Sequence, residues 1–441
     1  MTAFLLSLIR VGVVAALAAA VGWLSARALL PAGEAFRLER LAWGFAMGMA
    51  LLAAFVPLSL LAGVRPGWIP FSALGVALLA LTRFVAPPTL TSPPAGGGRE
   101  ARALRPPLRI LLRLLVLLGV AFYAVQALTE PMWSNDFIAI WGLKAKSIAL
   151  TGSLPDGLRR GPDFAHPEYP LGLPFLYAGV ALLTGGWDDH ALALLFPLVQ
   201  AATLAAAAGW LRRRGAPPAG ILLAAAILAN FGPLYSAFLT GLAEVPLAFG
   251  LLLFGTALAD ALEPAAPGAL RRLALAAAIL AATKNEGLYL AAAGCLVGLV
   301  FGGGRRRLRI AAAALPTALL VHIFHLIWRG RLPLRDFDLG LFSLDRLTEA
   351  LSTAARIWGP AGWAGAALVA ALVVLGARRA ESDGLLALLS LTAAAYLLLP
   401  AFAVRGPAWL VQTTLGRLTA ALAPLAAAAI VLRYAPEREK R

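Results

Sequence analysis

Side chains that could take part in group transfer occur at a few points of a chain that is otherwise apolar. The stretch WSNDFIAIWGLKAK, residues 133–146, places Asp136, Lys144 and Lys146 close together. A carboxylate can accept the proton of an attacking hydroxyl, and a lysine ammonium can stabilise a departing phosphate. The stretch therefore predicts a transfer site, with Asp136 as the base and the two lysines as phosphate ligands.

Helical spacing gives this stretch one apolar face with Asp136 at its edge. Such a helix is expected in the membrane interface, with its rings among the headgroups and its lysine free to bind phosphate. The alternative is an aromatic belt whose lysines only extend toward water, and the residues alone leave both interpretations open. The face consists of Trp133, Phe137, Ile140 and Lys144.

Two further stretches carry charge beside apolar spans. In TGLAEVPLAFG, residues 240–250, Glu244 lies at the predicted outer end of a span, where a carboxylate is costly and usually marks a site. In TKNEG, residues 283–287, successive polar residues point in different directions on one helix but could converge at a break between half-helices. The alternative is a buried Glu244–Lys284 ion pair that only holds helices together.

The composition indicates a polytopic helical membrane protein. Of 441 residues, 61% are hydrophobic and only 14% are charged, whereas a soluble protein is about one quarter charged. Many stretches reach the roughly 20 apolar residues that cross a bilayer. The first segment, 3–30, is long and contains Arg10, which favours a retained span over a signal peptide.

The net charge of +16 reflects membrane topology rather than nucleic-acid binding. Its arginines occur in short clusters between apolar spans, as expected for cytoplasmic loops. These clusters lie at 99–113, 212–214, 305–309, 378–379 and 438–441. The single cysteine, Cys295, excludes an intrachain disulfide, and the histidines form no metal-binding signature, so no metal ligand is predicted.

Apolar length and Pro/Gly punctuation predict an all-α protein of about 13 transmembrane helices with a cytoplasmic C-terminus. This orientation holds if 170–185 lies against the outer surface and if 270–303 forms two short helices that meet at Lys284. The predicted spans are 5–28, 41–63, 68–86, 109–128, 189–210, 218–239, 243–262, 270–283, 288–303, 309–328, 358–377, 384–400 and 414–433.

Four regions follow from this division. Three N-terminal helices occupy 1–86, and a cytoplasmic Pro/Gly/Arg linker occupies 87–108. A core at 109–303 includes the outer loop 129–188, and the C-terminal helices at 304–441 include the outer loop 329–357. Both outer loops are aromatic and basic. Topology alone also makes Arg335, in the second loop, and Arg405, between the last two predicted spans, candidate phosphate ligands.

The order of these motifs resembles the GT-C glycosyltransferases, in particular the family 39-like branch of protein mannosyltransferases and lipid A aminoarabinose transferases. The similarity rests on SNDFIAIWGLKAK, HPEYPLGLP, AEVPLAF and TKNEG, and covers about 110–300. In that branch an aspartate follows the first core span, and a His-Pro-Pro-type segment lies on the outer surface. This chain departs from the pattern at Asn135, where an acidic residue is common, and at 285–286, where Gly-Pro is usual.

The resemblance implies a GT-C-like fold and an inverting transferase that uses a polyprenyl-phosphate sugar. Asp136 would be the catalytic base, Glu244 a supporting carboxylate and Lys284 a residue that organises the site. No cofactor is implied as required, although some GT-C enzymes use a divalent cation. The remaining substrate-binding candidates are His166, Glu168, Tyr169, Asn285 and Glu286.

The sequence thus predicts an enzyme of the cell inner (cytoplasmic) membrane with its site facing outward. It would move a sugar to a hydroxyl of a lipid, glycan or protein. One alternative is a transporter or flippase for a lipid-linked or anionic solute, although no internal repeat is visible. Another is a scaffold in which Asp136 and Glu244 are merely paired. Neither the sugar nor the acceptor follows from these residues.

Overall fold

The computed structural model describes residues 2–30, 37–85, 105–153, 166, 168–230, 240–263, 266, 268–329, 338–376 and 380–435. Within these ranges the regular elements are helices, and no β-strand occurs. The chain also contains a π-helical turn, Phe137–Trp141, and two short 3-10 turns, Leu339–Leu341 and Leu399–Phe402.

The α-helices follow one another along the whole chain. The first eight are α1 (Thr2–Ala26), α2 (Arg37–Leu61), α3 (Trp68–Val85), α4 (Pro106–Thr129), α5 (Gly142–Thr151), α6 (Gly172–Thr184), α7 (Asp189–Leu192) and α8 (Leu195–Arg213). The next eight are α9 (Pro218–Ala229), α10 (Glu244–Leu262), α11 (Ala269–Thr283), α12 (Glu286–Phe301), α13 (Arg306–Arg329), α14 (Leu344–Leu375), α15 (Ala380–Leu398) and α16 (Pro407–Arg433).

Seven helical stretches in the described part of the chain are long and apolar enough to cross a membrane. The number is eight if the two halves of α16, which are bent by 44°, form one span. The protein is therefore an α-helical membrane protein, as the composition predicted. The seven stretches are Thr2–Ala26, Arg37–Leu61, Pro106–Thr129, Asp189–Arg213, Glu244–Leu262, Arg306–His325 and Glu381–Phe402.

Several segments predicted to span are shorter as helices. The span predicted at 218–239 is represented by α9, which ends at Ala229, and 231–239 lie outside the described residues. Its 12 residues are about 18 Å long, against a hydrocarbon core of roughly 30 Å. The helices α3 and α12 are also among the shorter apolar helices.

Helix α10 lies at the centre of the bundle. All but two of its 19 residues are buried, and it packs against α8, α11, α15 and α16. A helix that is apolar on every side belongs inside a bundle. The N-terminal helices join the same core, because α2 packs against both α6 and α8.

Close packing of α1 against α2 depends on small residues. Gly44 and Gly48 of α2 form a small-xxx-small pattern, which lets membrane helices approach closely. A Cβ added at Gly22 of α1 would lie only 2.0 Å from the carbonyl oxygen of Gly44. The two backbones are therefore in direct contact.

The segment predicted to lie against the outer surface, 170–185, contains the buried helix α6. Eleven of the 13 residues of α6 are buried, mainly against α2 and α5. At about 20 Å it is too short to span, as expected, but its uniformly apolar sequence favours burial on every side. Side chains of α2 cover this helix within the protein, and its predicted place at the outer face of the membrane stays a prediction.

The break predicted in 270–303 is present. Helix α11 ends at Thr283, α12 begins at Glu286, and Lys284 and Asn285 lie between them. The chain can turn back so tightly because Gly287 has no Cβ: an added Cβ would lie 1.9 Å from the carbonyl oxygen of Leu280. Gly287 thus fixes where Lys284 leaves the helix.

We expect Gly287→Ala to destabilise the protein, because the added methyl must push the α11 and α12 backbones apart. Overpacking of this kind typically costs about 1–3 kcal/mol. Thermal unfolding in detergent measures the effect. Gly303→Ala is the matched control, since an added Cβ there meets nothing within 4 Å and φ is not positive. Equal stability of the two variants would contradict a tight break at Gly287.

Candidate functional site

A buried carboxylate opens the central helix. Glu244 is the first residue of α10 and is 1% exposed. The Lys284 Nζ lies 3.2 Å from its Oε1 and 2.8 Å from the Oε1 of Glu286. The break between α11 and α12 therefore places one ammonium between two carboxylates, and the ion pair considered from the sequence is present.

Arg417 joins this pair to Asp136. Its Nη1 lies 2.7 Å from the Oδ2 of Asp136, and its Nε lies 3.8 Å from the Oε1 of Glu244. Arg417 is the last residue before the bend in α16, so the bend directs it from the last helix toward the start of α10. We call Asp136, Glu244, Lys284, Glu286 and Arg417 the charged cluster.

Sequence reasoning missed Arg417, although a signal for it was available. The predicted span 414–433 contains this arginine near its start, and an ionisable residue in a span is by default a site residue. The sequence motifs that indicated the site all lie before residue 300, so they gave no role to the C-terminal helices.

A π-helical turn and a glycine position Asp136 beside Glu244. Asp136 immediately precedes the turn Phe137–Trp141, and its side chain is 37% exposed. The Phe137 ring packs on Gly241, where an added Cβ would lie 2.8 Å from the ring. Because Gly241 also has a positive φ of 91°, only glycine fits there without strain. This contact joins the chain before α10 to the turn that carries Asp136.

Three stacked rings line one side of the candidate site. Tyr169 stacks on Trp141 at a centroid distance of 5.3 Å and on His166 at 4.9 Å. The His166 Nδ1 lies 2.7 Å from the Oε1 of Glu168, which fixes the imidazole ring. The predicted residues His166, Glu168 and Tyr169 therefore form one compact group.

Lys144 has a supporting position rather than the free one expected from the helical face. Its side chain is 1% exposed, and its Nζ donates a hydrogen bond of 2.7 Å to the carbonyl oxygen of His166. The π-helical turn changes the register between Trp133, which is 49% exposed, and the buried positions that follow it. Lys144 is consequently buried against the chain that precedes α6. Lys146 is exposed, as predicted.

Three buried polar atoms at the break have no hydrogen-bond partner among the described residues. They are the Oδ1 of Asn285, the Oε2 of Glu286 and the hydroxyl of Tyr396. Tyr396 lies on α15, is 6% exposed, and is within electrostatic reach of Glu286, Lys284 and Glu244. Unpaired buried polar groups are costly, so these atoms are suited to contact a polar ligand.

The two arginines predicted from topology differ in outcome. Arg405 is exposed, and its guanidinium stacks on the Trp409 ring at 5.1 Å. Within the described residues it forms no ion pair with the charged cluster. Arg335 lies outside the described residues.

Two glutamates keep Lys284 in its charged form. Lys284 lies outside the helices, in the break between α11 and α12. Burial alone lowers the pKa of its ammonium. The charges of Glu244 and Glu286 outweigh burial and raise that pKa well above its usual value. Three carboxylates face two cations in the cluster, so an anionic ligand must contact the cations directly. Within the described residues, no group of three or more His, Cys, Asp or Glu side chains is arranged to hold a metal ion.

A second ionic network lies at the other end of the same helices. Asp260 accepts hydrogen bonds from Arg213 and Arg272, each at 2.6 Å, and also from Arg214. Since Glu244 and Asp260 are 16 residues apart on α10, the two networks are separated by about 24 Å. The basic cluster 212–214 thus lies at the end opposite the charged cluster.

Comparison with known proteins does not assign the chain to a family. No family model matches it, and neither a curated protein nor a solved structure matches it significantly.

We expect Lys284→Met to destabilise the protein, because Glu244 would keep its charge in a buried position with one partner fewer. Removing one partner of a buried ion pair typically costs about 3–5 kcal/mol. Thermal unfolding in detergent tests this. Lys146→Met makes the same substitution at an exposed lysine and should change stability by less than about 0.5 kcal/mol. Similar losses for both variants would show that the Glu244–Lys284 contact contributes little.

Proposed function

We propose that this protein is a membrane glycosyltransferase that moves a sugar from a polyprenyl phosphate to a hydroxyl acceptor. The observation that carries the proposal is Arg417, which joins Asp136 to the Glu244–Lys284 pair across four separate parts of the chain. Two cations and a partly exposed carboxylate thereby lie at one end of the bundle. This combination suits transfer from a lipid phosphate, since a carboxylate can take the acceptor proton and cations can stabilise the departing phosphate.

Asp136 is the proposed base. With a side chain 37% exposed, it can reach a ligand, whereas Glu244 at 2% cannot. Arg417 donates a hydrogen bond to one oxygen of Asp136, which orients the carboxylate. In the transfer, the acceptor oxygen bonds to the anomeric carbon, the bond from that carbon to the phosphate oxygen breaks, and Asp136 takes the hydroxyl proton. A single displacement of this kind inverts the anomeric centre.

Arg417 is the proposed phosphate ligand. A guanidinium has five N–H donors. In Arg417, the Nε donates a hydrogen bond to the carbonyl oxygen of Thr413 and the Nη1 donates one to Asp136. Its side chain is 18% exposed, against 8% for Lys284, so Arg417 is the more accessible cation. The planar fork of arginine suits phosphate oxygens better than an ammonium does. Lys284, which is more deeply buried than Arg417, would add positive charge without being the main phosphate ligand.

The polar atoms at the break support a sugar as the transferred group. Sugar hydroxyls both donate and accept hydrogen bonds, and could pair with the buried atoms of Asn285, Glu286 and Tyr396. The rings of Tyr169 and its two neighbours offer a flat surface beside them. These features also support the substrate-binding roles predicted for 166–169 and 285–286.

The finer architecture belongs to the same proposal: a GT-C-like fold of about 13 membrane helices in the inner membrane. The site would face outward and the C-terminus the cytoplasm. Support comes from Arg213, Arg214 and Arg272, which gather at the end opposite the charged cluster, because basic residues concentrate on the cytoplasmic side.

A transporter or flippase is the second candidate. It is favoured by the ionic networks at both ends of α10, since proteins with alternating access commonly close each end with polar contacts. It predicts movement of a lipid or solute without a change in covalent structure. The two candidates therefore differ in whether the lipid retains its sugar.

We expect Asp136→Asn to abolish transfer while the protein stays folded, since general base catalysis contributes about 10²–10⁴-fold in rate. Native mass spectrometry of purified protein should show a sugar-bearing polyprenyl phosphate enriched in this variant. Asp345→Asn, at an exposed aspartate of α14, is the control and should resemble the wild type. Only ordinary phospholipids in every sample would contradict the donor, and enrichment without any transfer in the wild type would favour the transporter.

We expect Arg417→Lys, introduced together with Asp136→Asn, to reduce the bound sugar-bearing lipid by roughly tenfold or more. The reason is that an ammonium keeps the charge but lacks the planar fork. The measurement is the same ratio of loaded to empty protein. Arg109→Lys in the same background is the control, because Arg109 is exposed at the start of α4. Undiminished loading would remove Arg417 from the phosphate site.

A further inference from the structure

Three arginines lie close together where α1 ends and α2 begins. The two helices run antiparallel in direct contact, and a Cβ added at Gly44 of α2 would lie 2.6 Å from the Cα of Trp23 of α1. Arg27 follows Trp23 by four residues and stacks on its ring at 4.6 Å. Arg40 precedes Gly44 by four residues, so one helical turn brings the two guanidiniums to the same level. Arg27 and Arg37 both lie within electrostatic reach of Arg40, so the three positive charges form one group.

This group lies at the end of the bundle opposite the charged cluster, on a side that faces the lipid. The carbonyl oxygen of Leu29, two residues after Arg27, accepts a hydrogen bond of 2.8 Å from Arg272 of the second ionic network. Leu24 and Leu41 flank the arginines and are 42% and 49% exposed. Exposed leucines on membrane helices contact hydrocarbon, whereas arginines extend toward water and polar headgroups. The three arginines therefore lie at the boundary between hydrocarbon and water.

The carboxylate nearest to Arg40 in the sequence is engaged elsewhere. Glu39 is the residue before Arg40, but both of its oxygens accept hydrogen bonds from Arg213, at 2.6 and 2.9 Å. Arg27 and Arg37 are exposed, and neither forms an ion pair with any residue that the structure describes. The group thus carries an excess of positive charge that an anion can neutralise.

We propose that this surface binds the headgroup of an anionic phospholipid in the membrane leaflet on that side. We call it the basic lipid site and define it by Arg27, Arg37 and Arg40. The guanidinium fork fits phosphate oxygens, and basic pockets between membrane helices hold lipid headgroups in this way. Leu24 and Leu41 would contact the acyl chains, whereas a soluble phosphate would match the arginines alone. The proposal does not depend on the proposed function, since it concerns the opposite end of the protein.

A lipid held at the basic lipid site would stabilise the packing of the N-terminal helices. Repulsion between three like charges disfavours the close approach of α1 and α2, and a phosphate bound between them removes this repulsion. The same turn of α2 carries Glu39, whose contact with Arg213 joins α2 to α8. Because a ligand that binds only the folded protein stabilises it, the bound lipid should also raise the melting temperature.

Native mass spectrometry of the full-length protein in detergent tests the proposal. The protein is titrated with phosphatidylglycerol and with phosphatidylcholine that carries the same acyl chains, and the Kd of the tightest site is measured for each. We expect phosphatidylglycerol to bind more tightly and to raise the melting temperature more. Arg27→Gln together with Arg37→Gln should weaken phosphatidylglycerol binding about fivefold per arginine, or roughly 25-fold for the pair, and leave phosphatidylcholine binding unchanged. An equal Kd for phosphatidylglycerol in the wild type and in this variant would overturn the proposal.

Arg109→Gln together with Arg113→Gln is the matched control, because it removes the same charge from exposed positions near the start of α4. It should change the Kd for phosphatidylglycerol by less than about twofold, since scattered surface charges contribute little. Equal losses from the two pairs of substitutions would show that net charge alone attracts the lipid, and would overturn a defined site.

A measurement on the wild-type protein does not depend on how the variants fold. Hydrogen exchange of the backbone amides at 37–44 should slow with phosphatidylglycerol and not with phosphatidylcholine, because the bound lipid holds the start of α2 in place. Protection confined to other helices would overturn the site. An excess of inorganic phosphate should leave the lipid bound, and displacement of the lipid would show a site for soluble anions in place of a phospholipid site.

Discussion

A carboxylate that is 1% exposed at the start of a membrane helix must be neutralised by nearby cations, and much of the structure follows from meeting this need at Glu244. The break between α11 and α12 brings Lys284 to it, and the bend in α16 brings Arg417. Gly287 permits the first of these turns. Three elements that are distant in sequence are therefore held in place by one buried charge.

The neutralisation of Glu244 also positions Asp136, the carboxylate that a ligand can reach. An ion pair that only joined helices would need no third member, yet Arg417 extends the pair to Asp136, whose carboxylate is accessible. The buried charges thus give a more exposed carboxylate a fixed orientation and a cationic neighbour. Around them lie the unpaired polar atoms of the break and a stack of three rings, to which the proposed sugar would bind.

The sequence predicted those features that depend on local pattern. The helical membrane class, the break at Lys284 and the Glu244–Lys284 pair follow from apolar length and from charges in apolar surroundings. The free position of Lys144 did not hold, because it depends on which part of the chain covers which face of the helix. Arg417 stands out in the sequence as a charge within a predicted span, but nothing local indicates that it contacts Asp136. A π-helical turn, which shifts the register after Trp133, likewise has no clear sequence pattern.

Helix α10 is pinned at both ends, by Lys284 and Arg417 at Glu244 and by three arginines at Asp260. Sliding it along its own axis would stretch ionic contacts at the two ends simultaneously, so the helix should act as a rigid strut. Any large motion of this protein would then have to come from helices that do not share these contacts. The strut gives the bundle a fixed frame, against which the lipid substrate of the proposed function would be positioned.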